Sequence, residues 1–218
     1  MEKSNLNVKG PHASVDVLMR GNVNDPKRAL LLFHGRGAGA ENISRLASMF
    51  PLPEDVLVLA PDAVGHAWYP NRFTESRRDN EPYLSSAFEV VDDLICFCFE
   101  KFKIKPENIV LAGFSQGACL IADYVARNPK KYAGACIFSG GFIGSDEDIA
   151  SAKWKGDMKK MPIYLGCDII DPHIPKERVH ETAVIFLKLN ATVTEKIYTN
   201  LGHSIHPEGI QFLQSLFS

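Results

Sequence analysis

Apolar residues in this chain follow two alternating patterns. Short unbroken apolar runs fall at residues 29–33, 56–60, 109–111, 133–138 and 162–167. A run of this length with no polar alternation suits a strand buried on both faces, as in a parallel sheet covered by helices. Residues 13–20 alternate loosely and predict an edge strand, and residues 192–199 predict the last strand. Between the runs, apolar positions recur at helical spacing. Ile43, Leu46, Ala47 and Phe50 form one such stripe, which Pro51 stops. Leu84, Ala87, Phe88, Val91, Ile95, Cys98 and Phe102 form the longest. Ala118, Ile121, Ala122 and Val125 form a third, stopped by Pro129. Val179, Ala183, Phe186 and Leu187 follow Pro175, and Ile210, Leu213 and Phe217 follow Pro207. Proline suits a helix start because its missing N–H has no intrahelical acceptor there. Ser86 and Glu89 have capping-box spacing, although Pro82 also offers a start.

Strands alternating with helices, without an internal repeat or linker, predict one three-layer α/β domain over residues 1–218, built on a mostly parallel sheet. Two stretches resist the pattern. Residues 63–82 are irregular and hold Trp68, Tyr69 and Phe73, and residues 142–161 read as an excursion. Long loops in compact domains are usually functional. Trp68 and Phe73 are therefore candidates to wall a substrate pocket; the other reading pins them into the core as anchors.

Composition narrows the class. The formal net charge of -2 gives no electrostatic footprint for nucleic acid. The lysines around Trp154 read as a solvated loop. Residues 1–11 lack the apolar region of a secretion signal, and no apolar run is long enough to span a bilayer. Cys96, Cys98, Cys119, Cys136 and Cys167 are odd in number and lack metal-ligand spacing. Reduced thiols packed in a cytoplasmic protein are the expectation.

The chemistry concentrates at strand ends. Gly113-Phe114-Ser115-Gln116-Gly117 lies between an apolar strand and a helical stripe. A serine on so sharp a turn has strained dihedrals, and side chains two positions either side would crowd it, so glycines flank it. Its hydroxyl then stands clear of the backbone. The N–H of Gln116 lies at a helix start, where an unpaired donor favours developing negative charge. Ser139 ends another strand but lacks the flanking pattern. After the 162–167 strand come Asp168 and Asp171, either of which can orient a histidine; Asp171 is the favoured one. His203 follows the last strand, where a general base is expected, while His206 beside Pro207 reads as structural. His34-Gly35-Arg36-Gly37-Ala38-Gly39 follows the 29–33 strand. It lacks the lysine-serine ending of a nucleotide loop, so an anion-stabilising backbone loop is the better reading. His34 reads as a loop-stabilising side chain.

These motifs together resemble the α/β-hydrolase superfamily, and within it the phospholipase/carboxylesterase family, which includes acyl-protein thioesterases and small bacterial carboxylesterases. The resemblance rests on Leu32-Phe33-His34-Gly35-Arg36-Gly37, Gly113-Phe114-Ser115-Gln116-Gly117, Asp171-Pro172-His173-Ile174-Pro175 and Gly202-His203, and runs through nearly the whole chain. It implies an α/β-hydrolase fold, a Ser115–Asp171–His203 triad and an oxyanion hole from the N–H groups of Arg36 and Gln116. Trp68 resembles part of the family's pocket loop. Thioesterase members often carry leucine where Arg36 stands, and residues 166–171 are one residue longer than their version; the chain looks closer to the bacterial branch.

The expected activity is hydrolysis of a small acyl ester or thioester, with no cofactor and no metal. A non-catalytic binding module, a serine peptidase and a metal hydrolase using His203 and His206 are the competing readings. The oligomeric state, a homodimer included, is left open.

Overall fold

The computed structural model describes residue 6 and residues 8–218, so the polar 1–11 stretch lies partly outside the described residues. A seven-stranded sheet has the order β1-β3-β2-β4-β5-β6-β7. Its strands are β1 Val17–Gly21, β2 Arg28–Phe33, β3 Val56–Pro61, β4 Ile109–Phe114, β5 Gly134–Phe138, β6 Pro162–Asp168 and β7 Thr192–Tyr198. β1 pairs antiparallel with β3, and every other pairing is parallel. The apolar runs therefore fall on the inner strands, whose residues are buried on both faces, as their composition requires.

The helices α1 Ala40–Ser44, α2 Tyr83–Phe102, α3 Gln116–Arg127, α4 Asp146–Ser151, α5 Lys176–Lys188 and α6 Pro207–Ser215 cover the sheet. Two apolar clusters form its faces. One joins Leu31, Leu57 and Leu111 to α2, α3 and α5; the other joins Leu30, Val58 and Val110 to Ile43, Leu46, Leu213 and Phe217. Alternate residues of one strand thus feed opposite layers.

Three local expectations change. The 40–50 helix is shorter: α1 gives way to a 3-10 turn, Arg45–Ser48. Ile43, Leu46 and Ala47 stay buried, since the tighter turn keeps them facing the sheet. Ser86 and Glu89 do not cap α2. They share one face of it, where Ser86 Oγ donates to Lys9 O at 2.6 Å and Glu89 Oε2 accepts from Lys9 N at 2.8 Å. The 142–161 excursion contains α4, started by a capping box between Ser145 and Asp148.

β2 and β4 are neighbours at the point where the chain's path reverses: β3 lies to one side, and β5, β6 and β7 to the other. Loops leaving such a pair diverge and open a crevice at the strand ends. Ser115 sits there with φ 54° and ψ -118° between β4 and α3. The turn is held by Ser115 N donating to Phe138 O at 2.9 Å. A Cβ on Gly117 would lie 2.2 Å from Phe33 O and 2.6 Å from His34 O, and one on Gly113 would lie 2.4 Å from Gly117 O. These glycines let α3 start against the end of β2. We expect Gly117→Ala to destabilise the fold by about 3 kcal/mol or more, because backbone rather than a side-chain tip must move. Chemical denaturation measures this; a loss under about 1 kcal/mol contradicts the close approach.

Candidate active site

Three loops from separate strands meet at the crevice. Ser115 Oγ lies 2.8 Å from His203 Nε2, and His203 Nδ1 lies 2.7 Å from Asp171 Oδ2. Asp171 has no exposed side-chain surface. Burial pushes its pKa up, but the hydrogen bond from His203 and those from the His173 and Ile174 N–H groups outweigh this and hold it below the ordinary carboxylate value. It is therefore a carboxylate at neutral pH and can only accept. In the neutral imidazole Nδ1 must then carry the hydrogen, which leaves the Nε2 lone pair facing the Ser115 hydroxyl. The His203 ring is held between Phe114 and His173, each with its ring centre 4.8 Å away. Cys167 also serves the carboxylate. Burial raises its pKa to about 12, so it stays a thiol and donates weakly to Asp171 Oδ2 at 3.7 Å.

Asp168 has a different task. It ends β6, and its Oδ2 accepts from Leu201 N at 2.5 Å and Gly202 N at 3.1 Å, while Oδ1 accepts from Ile170 N at 2.8 Å. It thus fixes both the Asp171 turn and the loop that carries His203. The bond from Ile170, with those from Leu201 and Gly202, holds its pKa below the ordinary value against the pull of burial.

The loop after β2 passes beside the serine: a Cβ on Gly35 would lie 3.2 Å from Ser115 Cβ. Gln116 opens α3, so its N–H has no acceptor within the helix. Arg36 and Gln116 both line the cavity at Ser115. Their side chains clamp the same stretch of the irregular loop. Gln116 Nε2 and Arg36 Nη2 both donate to Tyr69 O at 2.8 Å. Arg36 also donates to Pro70 O at 2.8 Å and Asn71 O at 2.6 Å, and Gln116 Oε1 accepts from Trp68 N at 2.9 Å. His34, buried, accepts from Ala63 N through Nε2 at 3.0 Å, which braces the two loops as expected of a loop-stabilising side chain. Burial lowers its pKa, so it stays neutral.

The cavity over Ser115 has a volume of about 360 Å³. Phe73 lines it, but Trp68 does not. Trp68 is fully buried, and its Nε1 donates to His34 O at 2.9 Å, so its pocket-wall reading is corrected to that of an anchor. The aromatic wall beside Phe73 comes from Tyr69, with Cys119, His173 and Ile174 completing the lining. Of these, Cys119 was read only as a packing thiol; its place four residues after Ser115, one helical turn along, is the signal that could have found it. His206 is not part of this arrangement. Its ring stacks on Tyr198 with centres 3.8 Å apart, and it caps α6 by accepting from Glu208 N.

A family model described as phospholipase/carboxylesterase matches residues 21–218. The chain belongs to that family. It is 29% identical over 211 residues to acyl-protein thioesterase 1 of Kluyveromyces lactis, covering 88% of this chain and 91% of that protein. It is 35% identical over 112 residues to a probable carboxylesterase SOBER1-like protein of Arabidopsis thaliana, covering 51% of this chain but only 42% of that relative's length. The crystal structure of a phospholipase/carboxylesterase from Dyadobacter fermentans superposes with a TM-score of 0.88 at 34% identity, covering 97% of this chain and 100% of that one. The Bacillus cereus carboxylesterase, at 17% identity and a TM-score of 0.73 over 93% of each chain, shares the fold.

Two predictions follow from how the family fold is braced in this chain. Arg36→Leu removes three bonds to loop carbonyls, so the amides of Trp68, Tyr69, Asn71 and Arg72 should exchange hydrogen at least about tenfold faster while the sheet stays protected. Unchanged exchange there contradicts the brace. Asp168 has a depressed pKa, so its contribution to stability is complete above about pH 4 and fades as pH falls through the folded value. Asp168→Ala should lower the melting midpoint most at neutral pH, and the gap from the parent should narrow on acidification. A gap independent of pH contradicts the role.

Proposed function

We propose that this family member is a serine hydrolase that cleaves carboxylic esters, thioesters included, through an acyl-enzyme intermediate. The reading rests on one observation: the 2.8 Å approach of His203 Nε2 to Ser115 Oγ, with Asp171 behind the imidazole. Ser115 attacks the carbonyl carbon while Nε2 takes the hydroxyl proton. Asp171 keeps the imidazole in the required tautomer and stabilises its cation. The N–H groups of Arg36 and Gln116 receive the oxyanion, each such donor being worth roughly 3 kcal/mol of barrier. The imidazolium then protonates the leaving group, and water, deprotonated by the same nitrogen, releases the acid. The mechanism needs no cofactor. Relatives named carboxylesterase and acyl-protein thioesterase support the substrate class. Five free cysteines, four of them buried, suit a reducing, cytoplasmic setting.

Ser115→Ala should lower hydrolysis of a p-nitrophenyl acyl ester by at least about three orders of magnitude with the melting midpoint unchanged. Turnover within tenfold of the parent overturns the assignment.

A further inference from the structure

A second cavity, of about 420 Å³, adjoins the first and shares Asn42, Phe114 and His203 with it. It runs between α1 with its 3-10 extension and the loop that carries His203. Ile43, Leu46, Met49, Ile205 and Ile210 give it an apolar lining. Met49 is 61% exposed although it is apolar, and Ile205 and Ile210 are only half-buried. None of these residues has a part in the chemistry described above, and an unfilled apolar surface beside a reactive centre marks a site for an apolar group.

The chemistry says which part of the substrate reaches it. Ser115 and both proposed oxyanion residues line the first cavity and not the second, so the carbonyl carbon sits in the first. His203 borders both. When the tetrahedral intermediate collapses, the bond from carbonyl carbon to leaving-group oxygen or sulfur breaks, the Ser115 Oγ acyl bond is kept, and the Nε2 proton passes to the leaving atom. That atom must therefore lie against His203, and whatever is attached to it continues past the ring. We propose that the groove of Ile43, Leu46, Met49, Ile205 and Ile210 binds the leaving group, and that the substrate is an ester or thioester of an apolar alcohol or thiol several carbons long. The acyl side stays in the first cavity, whose wall combines Tyr69, Phe73 and Ile174 with Asn71, Arg72 and His173. The assignment rests on the serine-hydrolase reading and adds the leaving-group class to it.

The test is a series of straight-chain alkyl esters of one short acid, methyl to octyl. In the parent, kcat/KM should rise by about two- to fourfold per methylene over the first few carbons, the scale of burying a methylene in an open apolar groove. In Met49→Glu the octyl-to-methyl ratio should collapse toward one, and in Met49→Leu it should be kept. Exposure of Met49 makes both variants compatible with folding. A second arm does not need turnover. With methyl-labelled methionine, the Met49 resonance, assigned by its absence in Met49→Leu, should shift on titration with octan-1-ol. A flat alkyl series in an active enzyme overturns the groove assignment whatever the resonance does, and leaves the triad standing. If no ester is hydrolysed the triad reading fails, and the resonance alone decides the groove: a saturable shift supports it, and no shift overturns it.

Discussion

One short contact organises the reactive end of this molecule: the 2.8 Å hydrogen bond between His203 Nε2 and Ser115 Oγ. It joins residues 88 positions apart in the chain. Neither residue has the contact by itself. Ser115 is aimed by a strained turn that exists because Gly113 and Gly117 let α3 start against β2 and β4. His203 is aimed by Asp171 at Nδ1, by rings on either side, and by Asp168, which ties down the backbone just before it. The parallel sheet brings the ends of β4, β6 and β7 to one rim, and the side chains do the rest.

The same rim holds a second mechanical unit. Tyr69 O accepts from both Arg36 and Gln116, the residues whose backbone N–H groups are assigned to the oxyanion. An oxyanion hole acts by being organised before charge develops, so donors that move cost rate. Here the residues proposed to supply the donors are cross-braced through the pocket loop. That loop is fixed at its far end by Arg77, which pairs with the fully buried Asp123 on α3 and donates to Ile143 O. A long irregular segment is thereby ordered without regular secondary structure. Arg36 thus spends its guanidinium on this brace and is not a free charge on the rim.

The inner strands were legible because burial on both faces leaves a continuous apolar run, and the elbow was legible because sterics allow few residues around it. Chain order admitted both Asp168 and Asp171, with Asp171 favoured and Asp168 read as a turn or cap residue, and the geometry separates them: Asp171 faces His203, and Asp168 caps the loop. Trp68 was not placeable from its sequence context. An aromatic residue in a long loop reads the same whether it faces a cavity or fills a gap beneath it, and only the packing against His34 distinguishes the two. Tyr69 was missed for the same reason, since its place in the pocket depends on carbonyl contacts that leave no residue pattern. The helix α4 was missed although Ser145 and Asp148 spell its cap, because its single turn and a half is too short for a periodic stripe. The second cavity combines α1, β4 and residues 203–210, and no local stretch announces it.

The most direct measurement is covalent: incubation with a serine-directed fluorophosphonate, followed by mass spectrometry of the digested protein. The account predicts one adduct, on the hydroxyl of Ser115, with labelling slowed by at least about a hundredfold in His203→Ala. No adduct, an adduct on Ser139, or labelling at an unchanged rate without the imidazole contradicts it.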